Sequence, residues 1–143
     1  KENPTMANAI YPKWKEARLQ ATANAALDGS GTTGVYVALV DTAVYTYSAA
    51  HEFFSSVIAG EVGTSQELTS KTFTGGVLDA ADVTHPSVTG ATCEALVLYV
   101  KNAGANTTWR LLAYIDTGVT GLPVTPNGGN IATAWNASGI LAL

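Results

Sequence analysis

The chain has 143 residues, of which 47% are hydrophobic and 13% are charged, and its formal net charge is −4. That length is typical of a single domain with one core, and the high hydrophobic content excludes a largely disordered chain. The acidic balance gives no basic surface that would bind phosphate backbones, so nucleic acid is not expected as a partner.

The chain begins with five residues, Lys1 to Thr5, before the pair Met6-Ala7, which resembles a natural start. A cloning scar, a misassigned start and a processed precursor all fit this pattern. No signal-peptide core follows, and no apolar run approaches the roughly 18 residues that a membrane span requires. We therefore expect neither export through a signal peptide nor contact with a membrane.

The first predicted element is a helix from about Pro12 to Leu27. Proline is tolerated in a first helical turn, and the glycine-containing stretch from Asp28 to Gly31 is typical of a helix end. Apolar residues follow at helical spacing between these limits: Trp14, Ala17, Ala21 and Ala25. A stripe composed mostly of alanine buries little area by itself, so the helix needs a partner surface.

We predict that residues 1–33 form a helical arm and linker, and that residues 34–143 form a β domain. The large apolar side chains of Ile10, Tyr11 and Trp14 make the arm a candidate for attachment or oligomerisation. The alternative is that the helix docks on its own β domain. Deleting residues up to Leu27 should leave the remainder folded in the first case and unfold it in the second.

From Gly34 onwards, short β-branched and aromatic runs alternate with turn residues, a pattern typical of an antiparallel β-sandwich or jelly-roll-like domain. One exception is Ser48 to Ile58, where Phe53, Phe54 and Val57 share a helical face, so a further short helix is expected there. The fold class is therefore mainly β with two helices. The predicted strands are Val35 to Val40, Leu68 to Phe73, Val77 to Val83, Glu94 to Val100, Arg110 to Asp116, Ile131 to Trp135 and Ile140 to Leu143.

Two of these runs, Glu94 to Val100 and Arg110 to Asp116, are apolar at almost every position. Strands of that kind are covered on both faces, so we expect them to form a central antiparallel pair. The dipeptide Gly75-Gly76 permits the positive φ angles of a tight hairpin between its two flanking strands. Cys93 precedes the first apolar run and is expected to be a small buried residue, since a lone cysteine forms no internal disulfide.

The sequence holds few candidates for catalysis. His51 and His85 are the histidines available as a general base, and no nucleophile-elbow motif accompanies either of them. Both are expected to be polar surface or interface residues. Asp79, Asp82 and Glu94 could supply oxygen ligands to a cation together with His85, but the spacing matches no calcium loop, and side-chain bonds to turn backbone are the preferred interpretation. We predict no catalytic, cofactor-binding or metal-binding residue, and no enzymatic activity.

Several segments resemble those of small virion structural proteins of tailed bacteriophages. They are Met6 to Ala17, Val37 to Asp41, Tyr45 to His51, Ala113 to Asp116 and Gly121 to Gly129, and together they span the chain from end to end. The chain departs from that pattern before Met6 and in the alanine-rich stretch Ala21 to Ala26. The resemblance implies a component of the phage particle, most similar to a capsid decoration or cement protein.

That resemblance implies binding to the major capsid protein and to other copies of the chain, as a dimer or trimer, on the virion capsid surface after assembly in the host cytoplasm. The alternatives are a phage tail or head-tail adaptor component, and a carbohydrate- or receptor-binding β module. A weakly charged surface with large aromatic residues suits such contacts because few ions lose their water. The candidate interface residues are Ile10, Tyr11, Trp14, Phe53, Phe54 and Trp109.

Overall fold

The computed structural model describes residues 8–143, and its centre is a five-stranded antiparallel sheet. The strand order is β1-β7-β6-β2-β3, and two smaller sheets pair β4 with β9 and β5 with β8. The mainly β fold with an N-terminal α-helix is as predicted. The strands are β1 Ala9–Ile10, β2 Val35–Val40, β3 Glu61–Glu67, β4 Val77–Leu78, β5 Val83–His85, β6 Ala95–Val100, β7 Arg110–Ile115, β8 Ile131–Thr133 and β9 Leu141–Ala142.

The helical part of the chain is small. The α-helix α1 covers Pro12–Leu19, and the remaining helical segments are single 3-10 turns. No helix within residues 8–143 is long and apolar enough to cross a membrane. The predicted start at Met6 falls outside the described residues. The 3-10 turns are Gly31–Thr33, Phe54–Ser56, Ile58–Gly60, Thr74–Gly76 and Asn106–Thr108.

The central pair predicted from the apolar runs is confirmed. Strands β6 and β7 are adjacent and antiparallel, with Leu96 opposite Ile115 and Val100 opposite Arg110. Every residue of β6 is buried, because both of its faces are covered. A register shift between Leu98 and Tyr99 places two successive β7 residues, Leu112 and Ala113, in the same core cluster.

The sheet separates two core clusters. The larger cluster contains Val37 and Leu98 and also receives residues of the small sheets, such as Leu78 and Ile131. The smaller cluster contains the intervening residues of the same strands, such as Val97, and is completed by side chains of the segment 41–60. The small sheets therefore cover one face of the central sheet, and a long connection covers the other.

The helix ends at Leu19 rather than at Leu27. Ala21 and Asn24 both have positive φ angles, which stop the helix. The Asn24 side-chain amide donates to the Val100 and Thr108 carbonyls, so the sheet supplies acceptors that compete with further helical turns. An alanine stripe offers too little buried area to outweigh this.

The described N-terminal residues belong to the β core instead of a separate arm. β1 extends the central sheet by pairing Ala9 with Tyr114 and Ile10 with Ala113. Tyr11 and Trp14 are 0% and 2% exposed, and the Trp14 indole donates to the Ala25 carbonyl at 2.9 Å. In the structure, the N-terminal helix docks on the chain's own β domain, which is the alternative drawn from the sequence.

The segment expected as a short α-helix, Ser48 to Ile58, forms two 3-10 turns. Its backbone is held by strand β7: the Phe54 N–H donates to the Trp109 carbonyl, and Phe53 forms an isolated bridge with Arg110. Phe54 also stacks on Tyr99 with 4.0 Å between ring centroids. Tertiary contacts therefore override the helical spacing of the aromatic residues.

The region from 61 to 85 differs from the prediction in its strand limits. β3, Glu61–Glu67, lies before the expected strand at Leu68 to Phe73, and its polar sequence gave no apolar signal. The expected tight turn at Gly75-Gly76 is present, with positive φ at both glycines, but residues 68–73 before it do not form the expected strand: Thr72 and Asp79 form only an isolated bridge, and β4 pairs with β9. The expected strand Val77 to Val83 is divided into β4 and β5.

His85 is fully buried at the end of β5, not in a surface loop. Its Nε2–H donates to the Val37 carbonyl at 3.0 Å, which ties a small sheet to strand β2. Its Nδ1 is buried and has no hydrogen-bond partner within the described residues. Burial lowers the pKa of His85, and the bond to Val37 opposes that effect in part. Cys93 is buried as predicted.

Replacing Trp14 by Ala should lower the free energy of unfolding by about 3–5 kcal/mol, because a large buried side chain and its hydrogen bond are lost. The matched control is Lys15→Ala, an exposed position on the same helix, which should change it by less than about 0.5 kcal/mol. Urea unfolding of both variants measures the difference. Equal effects at the two positions would contradict the packing described here.

The stability of the protein should fall in mild acid because of His85. The unfolded chain protonates this histidine below about pH 6.5, whereas the folded protein holds it neutral, so unfolding takes up a proton below that pH and does not above it. His85→Gln keeps a donor for Val37 without titrating. Between about pH 7.5 and about pH 5, the wild type should lose more unfolding free energy than this variant. Parallel pH slopes in urea unfolding would refute this role for His85.

Candidate interface on the aromatic face

Aromatic side chains line one side of the central sheet, and we call the set Tyr36, Phe54, Tyr99 and Trp109 the aromatic face. Tyr99 lies at its centre, with Trp109 parallel to it at 5.6 Å and Tyr36 at 6.0 Å between ring centroids. Phe54 stacks on Tyr99 from the segment 41–60. Offset stacked rings of this kind add about 0.5–1.5 kcal/mol per pair beyond the buried area, so the face is a rigid surface.

Strand alternation explains why these rings meet. Tyr36 of β2 lies directly opposite Tyr99 of β6, and side chains of directly paired residues project from the same face of a sheet. Trp109 immediately precedes β7, whose first residue Arg110 pairs with Val100. The Trp109 indole N–H donates to the Gly104 carbonyl at 2.9 Å, which fixes the plane of the Trp109 ring.

Two cations lie over aromatic rings in this region. The Lys101 ammonium is 4.8 Å from the Tyr36 ring centroid and 5.1 Å from that of Trp109. The Arg110 guanidinium lies 5.3 Å from the Phe53 ring and donates to Glu52 at 2.9 Å. Because Arg110 pairs with Val100 of the larger cluster, this second cation lies on the opposite face of the sheet. The aromatic face therefore combines half-buried rings with the positive charge of Lys101.

Next to the aromatic face lies a tyrosine cluster composed of Tyr11, Tyr45, Tyr47 and Tyr114 with His51. The Tyr11 and Tyr45 hydroxyls are 2.7 Å apart, and the Tyr45 hydroxyl is 2.8 Å from Nδ1 of His51. Tyr11 comes from the start of α1, whereas Tyr45 and His51 come from the segment 41–60. The hydrogen bonds thus attach that segment to the N-terminal residues.

Burial keeps these phenols neutral. It raises the pKa of Tyr99 and of Tyr114 to about 12 in each case. The pKa of Tyr11 is raised further, first by burial and then by the hydrogen bond to Tyr45. All three hydroxyls therefore remain protonated at neutral pH and act as hydrogen-bonding groups rather than as nucleophiles.

The structure separates the six interface residues expected from the sequence. Trp109 is half-buried and belongs to the aromatic face, and Phe54 lies buried next to it. Phe53 is also half-buried, but it lies against Arg110 on the opposite face of the sheet. Ile10 is half-buried on edge strand β1, while Tyr11 and Trp14 are buried in different core clusters. Sequence reasoning did not single out Tyr36, Lys101 and Arg110. The alternation of β2 could have indicated Tyr36, but the cation positions depend on loop geometry.

The carboxylates considered as cation ligands each accept hydrogen bonds from nearby residues. One Asp79 carboxylate oxygen accepts from the Ala80 N–H at 2.9 Å, as expected for a turn, and Asp82 accepts from the Trp135 N–H at 3.0 Å. Glu94 accepts from the N–H and hydroxyl of Thr42, both at 3.0 Å. Across residues 8–143, no three His, Cys, Asp or Glu side chains are grouped closely enough to hold a metal ion.

Comparison with known proteins gives no assignment, since neither a protein-family model nor a curated protein matches the chain.

Replacing Tyr45 by Phe should lower the free energy of unfolding by about 1–3 kcal/mol, because the buried Tyr11 hydroxyl then lacks a partner. Tyr47→Phe is the matched control, since Tyr47 packs in the same cluster without a side-chain hydrogen bond to another described residue. The double variant Tyr11→Phe/Tyr45→Phe should recover part of the loss. Equal losses for the Tyr45 and Tyr47 variants in chemical denaturation would show that the hydrogen bond contributes nothing.

Proposed function

We propose that the chain is a non-enzymatic virion protein that decorates or cements the capsid of a tailed bacteriophage. It binds the major capsid protein through the aromatic face and also contacts neighbouring copies of itself. The observation that carries the proposal is the pair of half-buried rings Tyr36 and Trp109, stacked on the buried Tyr99, with Lys101 beside them. Tryptophan, tyrosine and arginine are the residue types that most often dominate the binding energy of protein interfaces.

The segments that resemble phage virion proteins support the proposal because they maintain this face. The segment Met6 to Ala17 supplies Tyr11, and the segment Tyr45 to His51 supplies Tyr45 and His51. The Tyr45 hydroxyl forms hydrogen bonds with both Tyr11 and His51. The second of these segments lies just before Phe54, which stacks on Tyr99 and Trp109. The resemblance therefore involves residues that hold the segment packed against the stacked rings.

The charges of the face indicate what kind of surface it fits. Lys101 lies over two rings and has no carboxylate partner among the described residues. A neutral polar or mildly acidic protein surface can cover such a face while few ions lose their water. Many copies on a symmetric shell then add avidity to a modest individual contact.

A second candidate function is carbohydrate binding. The specific observation in its favour is that Tyr36 and Trp109 are both half-buried rings and both lie nearly parallel to Tyr99. Such rings offer flat apolar surfaces, although Lys101 lies over the pair. Glycan binding by the isolated protein that is lost in Trp109→Ala would favour this function over capsid binding.

The proposal is tested by binding the purified protein to shells assembled from the major capsid protein of the same phage genome. Trp109→Ala should weaken binding by about tenfold or more, as expected for an interfacial tryptophan. Trp135→Ala is the matched control, because Trp135 is also half-buried and also donates its indole N–H to a carbonyl, that of Ala81, but packs against the larger core cluster. It should bind as the wild type does.

Co-sedimentation of protein with shells measures both affinities, and circular dichroism verifies that each variant is folded. The proposal fails if the wild type does not bind shells, or if both tryptophan variants lose binding equally. Association with tails instead of tail-free, DNA-filled heads would identify a tail or adaptor component.

A further inference from the structure

An apolar patch lies on the other side of the molecule from the aromatic face. Leu27, Phe73 and Leu143 surround a cavity of about 320 Å³ whose lining also includes Trp14. Phe73 is 42% exposed and Leu143 is 75% exposed. Trp14 and Leu27 pack in or against the larger core cluster, whereas the aromatic face belongs to the smaller one across the sheet.

Two opposite charges line the same cavity. Arg18, in the last turn of α1, and Asp28, in the connection after it, are both exposed. Neither forms an ion pair with another described residue. The nearby Lys71 ammonium donates to the Gly29 carbonyl at 2.8 Å and does not bond the Asp28 carboxylate. The patch therefore presents one positive and one negative group beside its apolar residues.

We infer that the apolar patch is a two-fold contact between two copies of this chain. In a two-fold interface, if residue i of one copy contacts residue j of the other, then residue j of the first copy also contacts residue i of the second. A surface bearing both Arg18 and Asp28 can then match itself, with each Arg18 facing the other copy's Asp28. A partner of single charge sign would leave one of the two groups unmatched. Phe73 and Leu143 of one copy cover the cavity of the other.

This inference deepens the proposed function and rests on it only for the role of the dimer in the particle. The contact with neighbouring copies is assigned to the apolar patch, and the aromatic face remains available to the capsid. Dimerisation is measured on the isolated protein without shells, so its failure is distinct from a failure of capsid binding.

Charge exchange provides the sharpest test. Arg18→Asp sets two carboxylates against each other at both contacts of the dimer, and Asp28→Arg does the same with two guanidinium groups. Each variant should dimerise about tenfold or more weakly than the wild type, because like charges oppose one another at both contacts. In an equimolar mixture, a heterodimer of the two variants pairs a carboxylate with a guanidinium group at both contacts, so it should form with nearly the wild-type affinity although neither homodimer does. Lys15→Asp, on the same helix outside the cavity, is the control for a changed charge.

The double variant Arg18→Asp/Asp28→Arg completes the test, because it reverses both charges and restores two opposite-charge contacts in its own homodimer. It should therefore dimerise with nearly the wild-type affinity, although each single variant does not. Sedimentation equilibrium gives the dimer constants of all four proteins, and circular dichroism verifies that each is folded.

Phe73→Ser should also weaken the dimer, whereas Val44→Ser, at a comparably exposed residue outside the patch, should not. A wild-type protein that remains monomeric at all concentrations overturns the inference. It is likewise overturned by a dimer that tolerates both single charge changes, or by a double variant that dimerises no better than the single ones.

Discussion

Strands β2, β6 and β7 carry almost no polar side chain that could face water, so both faces of the central sheet must be covered. This constraint determines the remaining architecture. On one side the small sheets β4-β9 and β5-β8 contribute Leu78, Ile131 and their neighbours to the larger cluster. On the other side the segment 41–60 takes that role with Tyr45, Phe54 and Val57. An irregular connection can cover an apolar face because aromatic rings bury a large area per residue.

The central strands could be predicted because burial on both faces leaves a clear sequence signal. Val35 to Val40 was located correctly, and the pairing of β6 with β7 followed from their apolar content. β3 could not be found in this way, since Glu61–Glu67 is a polar edge strand whose place is set by its partner β2. The helix was predicted too long because alanine spacing says nothing about the acceptors that Val100 and Thr108 offer to Asn24.

The candidate interface was only partly predictable. Phe53 and Trp109 were identified by residue type, but only Trp109 lies on the aromatic face, whereas Phe53 lies against Arg110 on the opposite face of the sheet. Tyr11 and Trp14 are of the same type but are buried, because large aromatic residues serve cores and interfaces equally well. His85 looked like a surface residue before a proline, yet its ring bonds to a carbonyl of a strand far away in sequence. Partners that are distant along the chain leave no local pattern.

The strand order also constrains how the protein comes to be folded. Val35 pairs with Val100, and Ala9 pairs with Tyr114, so β1 and one edge of β2 meet their partners only after most of the chain exists. Contacts between such distant residues slow folding, because the entropy of closing long loops is lost before the strands pair. During synthesis on the ribosome, β2 can pair early with β3, but its other edge must wait until β6 has emerged, and β1 must wait until β7 has followed. A nascent chain interrupted before residue 115 would expose its aromatic and aliphatic residues, which makes premature termination a route to aggregation.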